Sequence, residues 1–155
     1  MADVSQDAAE LVALAREAAL RAHAPYSGFS VGCAIEAEDG SIATGSNMEN
    51  ACYRLGTCAE IAALTSAQQA FGLGKVRRIA VAGGHIGEDG ELTGAQAVTP
   101  CGGCRQAIAE AGDLSGFDIA VIAASGDGSV VSKTTIAALL PRSFGADNLD
   151  DAAQQ

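Results

Sequence analysis

Three cysteines and one glutamate stand in two short motifs that lie far apart in the chain. The motifs are Cys58-Ala59-Glu60 and Pro100-Cys101-Gly102-Gly103-Cys104. Thiolates are soft ligands that suit zinc. Three protein ligands leave a fourth position for water, which is the pattern of a catalytic zinc, whereas a structural zinc has four protein ligands. A chain that binds one zinc with these cysteines must fold so that the two motifs meet.

Glu60 follows the first candidate ligand closely enough for its carboxylate to act on the water without binding the metal. It can accept a proton from that water, protonate the ring nitrogen of an amidine-like substrate and then protonate the leaving ammonia. Alone, a Cys-x-x-Cys pair would equally suit a redox pair or half of a structural zinc site. Cys33 and Cys52 could add a fourth ligand, but neither forms a second Cys-x-x-Cys. We interpret both as small buried hydrophobic residues.

Charge and composition argue against several kinds of partner. The 155 residues carry a formal net charge of −10, and the only basic cluster is Lys75, Arg77 and Arg78. A negative field repels phosphate backbones, so we expect a small uncharged substrate and no nucleic-acid partner. No apolar run is long enough for a membrane span, and the first residues lack the features of a signal peptide. We therefore expect a cytoplasmic protein with reduced, metal-binding cysteines.

Apolar periodicity and turn residues predict the secondary structure. Helices are predicted at 7–22, 58–70, 101–111 and 134–140, and strands at 30–37, 42–46, 78–83, 119–123 and 130–133. The Asp39-Gly40 turn makes the first two strands an antiparallel hairpin. We expect a loop between Asn47 and Thr57, a loop or hairpin over 84–99, a helix stop at Gly112, and a frayed acidic tail from Ala146.

These elements predict one α/β domain over residues 1–155, a three-layer α/β/α sandwich with a mixed five-stranded sheet. Strands that flank a helix should be parallel. Both cysteine motifs lie at predicted helix starts. The unpaired N–H groups and partial positive charge of a helix N-terminus stabilise thiolates, so two such ends could hold three anionic sulfurs around one metal ion.

Beyond the cysteine motifs, which are also the signature of zinc nucleoside and nucleobase deaminases, the chain resembles the small homotetrameric cytidine deaminases over nearly its whole length. Three further runs carry the resemblance: Pro25-Tyr26-Ser27-Gly28-Phe29-Ser30-Val31-Gly32, Asn47-Met48-Glu49-Asn50-Ala51-Cys52-Tyr53 and Leu140-Pro141-Arg142-Ser143-Phe144-Gly145. The resemblance implies a cytidine deaminase-like fold and one Zn²⁺ per chain. It also implies deamination of cytidine and 2′-deoxycytidine in pyrimidine salvage, by a homotetramer with active sites at subunit interfaces.

The resemblance implies substrate-binding roles for several residues. Asn47 and Glu49 would hydrogen-bond the ribose hydroxyls, and Phe29 would stack on the pyrimidine. The backbone and side chains near Ala51 and Glu60 would bind the edge of the base. The chemistry agrees in part, because an asparagine and a glutamate two positions apart on an extended segment point to one side.

Two aromatic residues would act across a subunit boundary. The resemblance implies that Tyr53 and Phe144 reach the active site of a neighbouring subunit. Taken singly, these residues have plainer interpretations: Phe144 could fill the core after Pro141, Phe29 could be a core residue, and Asn47 could belong to an ordinary turn.

The chain departs from the family after the first cysteine motif. Three-cysteine members commonly place an arginine directly after Cys-Ala-Glu, and this chain has Ile61 there. Three thiolates around Zn²⁺ leave a net negative charge, which weakens the metal as a Lewis acid. We expect Arg54, in the loop before Cys58, to supply the missing positive charge from beyond the ligands. Arg105 is the competing candidate.

Two other functions remain open at this stage. A deaminase of another small molecule, such as the blasticidin-type enzymes, would share the zinc motifs, but the Asn-x-Glu-Asn run favours a nucleoside. A non-catalytic zinc-binding module would need no carboxylate at Glu60.

Overall fold

The computed structural model describes residues 4–152 and shows a five-stranded mixed sheet with helices packed on it. The helices are α1 (Val4–Ala19), α2 (Ala59–Ala70), α3 (Gly102–Ser115), α4 (Ile136–Leu139) and α5 (Ala146–Ala152). The strands are β1 (Phe29–Ala37), β2 (Ile42–Ser46), β3 (Val76–His85), β4 (Ala120–Ser125) and β5 (Val131–Thr135). Among these described residues, no helix is both long and apolar enough to cross a membrane.

The strand order is β2-β1-β3-β4-β5. Strand β1 is antiparallel to both β2 and β3, β3 is parallel to β4, and β4 is antiparallel to β5. This confirms the predicted hairpin of β1 and β2 and the parallel pair that flanks α3. Because β3 and β4 run in the same direction, their carboxyl ends meet at one edge of the sheet, where the chain continues towards the second cysteine motif.

The two faces of the sheet carry separate hydrophobic clusters. On one face, Leu11 and Ala15 of α1 pack against residues such as Ala80 and Ile122. On the other face, α2 and α3 cover the sheet, and the buried residues of this cluster include Ile35, Ala63, Val81, Ile108 and Val121. The predicted three-layer α/β/α arrangement is therefore confirmed.

Two glycines in the sheet allow the helices to approach it closely. A Cβ atom added at Gly32 would lie 1.9 Å from the carbonyl oxygen of Ala15 in α1. A Cβ atom added at Gly45 would lie 2.3 Å from the backbone nitrogen of Ala63 in α2. The alanine-rich composition thus has a structural reason, since helix and strand backbones nearly touch on both faces of the sheet.

Several helix boundaries differ from the prediction. Helix α1 begins before the predicted start at residue 7, and α4 is shorter than the predicted 134–140, because the first two of those residues belong to β5. The ends of α3 and α1 have clear structural reasons. Helix α3 does not stop at Gly112 but continues to Ser115, and Gly116 ends it in the left-handed conformation with φ 69°. Gly112 lies inside the helix, where an added Cβ would come within 3.1 Å of the carbonyl oxygen of Phe117, so close packing requires it there. Helix α1 ends at Ala19, before the predicted end, because His23 pairs with the segment that begins at Asn47.

The acidic tail is helical where we expected a frayed chain. Helix α5 covers Ala146–Ala152, and residues 153–155 lie outside the described part. The backbone N–H of Gly145 donates to Oδ1 of Asn148 at 2.9 Å, and the N–H of Asn148 donates back to the Gly145 carbonyl at 3.1 Å. These two hydrogen bonds stabilise the first turn, and Asp147 places a negative charge near its positive end.

We predict that Gly45→Ala destabilises the protein, because the new methyl group would push α2 away from the sheet. Overpacking of this kind typically costs about 1–3 kcal/mol. Gly103→Ala is the matched control, since nothing lies within 4 Å of its added Cβ and its φ is not in the left-handed region. Thermal unfolding followed by circular dichroism should give a lower Tm for Gly45→Ala alone. Equal Tm values for the two variants would contradict this packing argument.

Candidate metal centre and substrate cleft

The three motif cysteines lie at the N-termini of two helices. Cys58 immediately precedes α2 and Cys101 immediately precedes α3, both with extended backbone conformations, and Cys104 lies in the first turn of α3. The three sulfur atoms lie within 4.8 Å of one another. The Sγ atoms of Cys58 and Cys101 are 3.9 Å apart. The fold therefore brings the two motifs together as the sequence predicted.

The donor set fits zinc. In a tetrahedral site with Zn–S bonds of about 2.3 Å, sulfur atoms lie about 3.8 Å apart, close to the distance between Cys58 and Cys101. Cys104 is buried, whereas Cys58 and Cys101 are exposed, so the set is open on one side. Among the described residues, neither remaining cysteine joins this group. Cys33 is buried as predicted, but Cys52 is exposed, because the turn that follows it buries no side chain.

Burial and backbone N–H groups shift the thiol pKa values in opposite directions. The backbone N–H of Cys104 lowers the pKa of the Cys101 thiol, in line with its place at a helix start. Burial raises the pKa of Cys58 and, more strongly, that of Cys104. These sulfurs gain most from a bound cation, because a metal ion replaces the protons that burial would otherwise retain.

Arg105 fixes the turn that carries the second motif. Its Nε donates to the carbonyl of Pro100 at 2.9 Å, and one of its terminal nitrogens donates to the carbonyl of Leu139 at 3.1 Å. Pro100 itself is fully buried. The guanidinium thus joins the start of α3 to the end of α4 through backbone carbonyls. These two hydrogen bonds of Arg105 go to carbonyl oxygens and not to the sulfur atoms of the three motif cysteines.

Arg54 does not make the contact that we expected. It lies in a 3₁₀ turn, Tyr53–Leu55, that contains no buried residue. Within the part of the chain that the structure describes, Arg54 is exposed and forms no hydrogen bond with Cys58, Cys101 or Cys104. The single chain therefore leaves the negative charge of the thiolates to the helix N-termini and their N–H groups.

Glu60 is a buried carboxylate at the start of α2, with 4% of its surface exposed. It lines a cavity of about 320 Å³ together with Cys58 and Cys101. A cavity of this size is at the lower end of the range for small-molecule sites, and Asn47 and Glu49 line it as well. The candidate proton carrier, two candidate zinc ligands and two predicted ribose-binding residues therefore face one cleft.

Asn47 is held by backbone groups of β1. Its Oδ1 accepts a hydrogen bond from the N–H of Val31 at 2.8 Å, and its Nδ2 donates to the carbonyl of Phe29 at 2.9 Å. One N–H of the amide remains available, because a primary amide has two. The side chain thus has a fixed orientation at the edge of the cleft.

Glu49 is held by the loop that precedes β1. Its Oε2 accepts hydrogen bonds from the backbone N–H groups of Tyr26 at 2.9 Å and Ser27 at 3.2 Å, and its Oε1 accepts one from the hydroxyl of Ser27. The Ser27 hydroxyl and then the Tyr26 N–H lower the pKa of this carboxyl group. Three of its roughly four acceptor positions are therefore occupied.

Four predicted substrate-binding residues do not line this cleft in the single chain. Phe29 is half-buried, and its ring packs edge-to-face on the ring of His85, with the two ring centroids 5.3 Å apart. Ala51 is exposed. Tyr53 is 79% exposed and Phe144 is 58% exposed. Their roles stay predictions, and those of the last two depend on a neighbouring subunit.

Several residues that line the cleft are not among the predicted site residues. They are Val31, Met48, Gly56, Thr57, Ala59, Val98 and Thr99. The sequence could have indicated two of them, because Thr57 and Thr99 come directly before the two cysteine motifs. Val98 lies in the segment predicted only as a loop or hairpin, and its N–H donates to the carbonyl of Ala124 in β4 at 3.1 Å.

The family comparison agrees with this geometry. Residues 5–116 match the cytidine and deoxycytidylate deaminase zinc-binding region. The chain belongs to this family. The match spans both cysteine motifs and most of the sheet, and the cluster of Cys58, Cys101 and Cys104 in this deaminase fits the zinc site of that family.

The deaminase is similar along most of its length to named relatives. It is 37% identical over 149 residues to a cytidine deaminase of Sporosarcina psychrophila, covering 96% of this chain and 99% of the relative. The crystal structure of a Burkholderia pseudomallei cytidine deaminase has a TM-score of 0.73 and 38% identity, with 87% of this chain and 97% of that chain covered. That of a Mycobacterium tuberculosis cytidine deaminase has a TM-score of 0.69 and 31% identity, with 92% and 99% covered.

We predict that Cys104→Ala abolishes zinc binding, because two ligands cannot hold the ion as three do. Metal content by mass spectrometry should fall from about one zinc per chain to near zero. Cys52→Ala, at an exposed cysteine outside the cluster, is the matched control and should keep its zinc. A Cys104→Ala protein with a full complement of zinc would rule out the assigned ligand set.

Proposed function

We propose that this deaminase hydrolyses cytidine and 2′-deoxycytidine to uridine and 2′-deoxyuridine, in pyrimidine salvage in the cytoplasm. The observation that carries the proposal is the position of Glu60, buried beside the three-cysteine set in a cleft whose other side carries Asn47 and Glu49. The cleft thus combines a proton carrier, a metal site and polar groups for a sugar.

Glu60 moves the protons in the proposed reaction. When bound by the three cysteines, zinc supplies Lewis-acid activation of water. Glu60 accepts a proton as the water oxygen adds to C4 of the pyrimidine, and it protonates the ring nitrogen N3. It then takes the proton of the new C4 hydroxyl and delivers it to the amino group, so that the C4 carbonyl forms, the C4–N bond breaks and ammonia leaves. Because Glu60 is buried, its carboxylate rather than bulk solvent is the proton carrier within the cleft.

The hydrogen bonds of Glu49 support the acceptance of both sugars. With three acceptor positions occupied by the loop, this carboxylate has about one position left for a ribose hydroxyl. A nucleoside that lacks the other hydroxyl then loses no partner here, which favours 2′-deoxycytidine as a second substrate. The negative charge of Glu49 and the net charge of −10 disfavour a phosphate group, so we infer nucleosides rather than nucleotides.

A deaminase specific for another small molecule is the nearest alternative. The sugar-facing pair, Asn47 and Glu49, favours a nucleoside over a molecule without a sugar. An ultraviolet assay for the loss of cytidine by the zinc-loaded protein tests the proposal. Loss of the cytidine absorbance with formation of uridine supports it, and an unchanged spectrum with a folded, zinc-loaded protein refutes it.

We predict that Glu60→Gln retains zinc and loses catalysis. The amide keeps the size of the side chain but cannot carry protons, and general acid–base catalysis is typically worth about 10²–10⁴-fold. Steady-state kinetics should show a fall in kcat of at least that order, with zinc content unchanged. Glu110→Gln, at an exposed position of α3, is the control and should match the wild type. A Glu60→Gln enzyme with a tenth of the normal kcat would refute the role of Glu60.

We also propose that the enzyme is a homotetramer with its active sites at subunit interfaces. Exposed apolar and aromatic side chains support this, since four of them lie in or beside the segments at the cleft: Tyr26, Met48, Tyr53 and Leu55, each at least 53% exposed. Clustered exposure of this kind marks an interaction surface. The turn that carries Tyr53 also carries Arg54, whose proposed role near the zinc would require subunit contact to orient it.

For the assembly, we predict a tetramer by light scattering, and an increased KM for cytidine in Phe144→Ala with unchanged zinc content. Phe144 is exposed in the single chain, so its loss should affect a neighbouring site more than the fold. An active monomer would contradict the proposed assembly. So would a Phe144→Ala enzyme that keeps a wild-type KM.

A further inference from the structure

The hydroxyl of Ser27 lies between the two parts of the proposed substrate site. It donates a hydrogen bond to Oε1 of Glu49, the proposed ribose-binding carboxylate, and it accepts one at 3.0 Å from the backbone N–H of Phe29. Within residues 4–152, the side chain of Ser27 is the one that hydrogen-bonds to both Glu49 and Phe29.

The loop around Ser27 is fixed on both sides. The N–H of Gly28 donates to the carbonyl of Ala24 at 2.9 Å, and Nδ1 of His85 lies 2.9 Å from the carbonyl of Gly28. Gly28 has φ 67°, a left-handed conformation that glycine adopts without strain. The backbone is therefore held in place without the Ser27 hydroxyl, which is left to orient its two neighbours.

We propose that Ser27 is a positioning residue for sugar recognition in the deaminase reaction. It fixes Oε1 of Glu49 so that the remaining acceptor position faces the ribose, and its oxygen also accepts the N–H of Phe29 at the start of β1, which ties Glu49 to that strand. This inference rests on the proposed function, because the substrate role of Glu49 comes from it.

Removal of the hydroxyl should affect the sugar more than the fold. Ser27 is exposed, and Glu49 would keep two backbone N–H donors on Oε2. Its Oε1 would lose its partner and become available to water, which competes with a ribose hydroxyl. A hydrogen bond to a charged group is strong enough for its loss to reduce apparent affinity by about tenfold.

The test compares cytidine with 2′,3′-dideoxycytidine, which lacks the sugar hydroxyls that Glu49 could bind. We expect Ser27→Ala to raise KM for cytidine by about tenfold, with kcat changed much less. The increase for dideoxycytidine should be several-fold smaller. Ser27→Thr keeps the hydroxyl and should restore most of the cytidine KM. Ser66→Ala removes a hydroxyl that only bonds the Ala62 carbonyl on the exposed side of α2, and it should leave both substrates unchanged.

The outcomes separate this inference from the proposed function. If the zinc-loaded wild-type enzyme does not deaminate cytidine, the proposed function itself fails. If the wild type is active and Ser27→Ala raises KM equally for both substrates, the hydroxyl has only a structural role and the inference is overturned. An unchanged cytidine KM in Ser27→Ala, or a Ser27→Thr enzyme that resembles Ser27→Ala, overturns it as well.

Discussion

The structure depends on the meeting of two helix N-termini at three thiols. Cys58 and Cys101 each directly precede a helix, and Cys104 follows within the first turn of α3, so N–H groups and helix dipoles face sulfur atoms that lie within 4.8 Å of one another. A cation at this point stabilises the thiolates of Cys58 and Cys104, which burial would otherwise keep protonated. The same arrangement places Glu60 in the first turn of α2, beside the metal site, because the carboxylate is carried by the helix that begins at the first ligand.

Close packing makes this meeting possible. The sheet accepts α1 over Gly32 and α2 over Gly45 at distances that no side chain would permit. On the loop side, Arg105 joins Pro100 to the end of α4 and so fixes the start of α3. The cleft is therefore bounded by the starts of α2 and α3 beside the cysteines, and by the hydrogen-bonded residues Asn47 and Glu49, the proposed sugar-binding pair.

The apolar periodicity was sufficient to predict the three-layer fold, and the spacing of the cysteines was sufficient to predict that Cys58, Cys101 and Cys104 meet, because both depend on local pattern. Arg54 was expected beside the sulfur atoms, but in the single chain it lies in the exposed turn Tyr53–Leu55, a position that depends on the tertiary structure and not on local pattern. Gly112 was expected to end α3, but its role is close approach within the helix. The link from Ser27 to Glu49 was likewise hidden, because the two segments are far apart in sequence and meet only in the fold.

The central claim is hydrolytic deamination of cytidine at the zinc and Glu60 site, and isotope labelling tests it most directly. The zinc-loaded enzyme is incubated with cytidine in water enriched in ¹⁸O, and the products are measured by mass spectrometry together with an ammonia assay. The account predicts uridine with one solvent-derived oxygen at C4 and an equal amount of ammonia. Cytidine that remains unchanged, or uridine without the label, would contradict it.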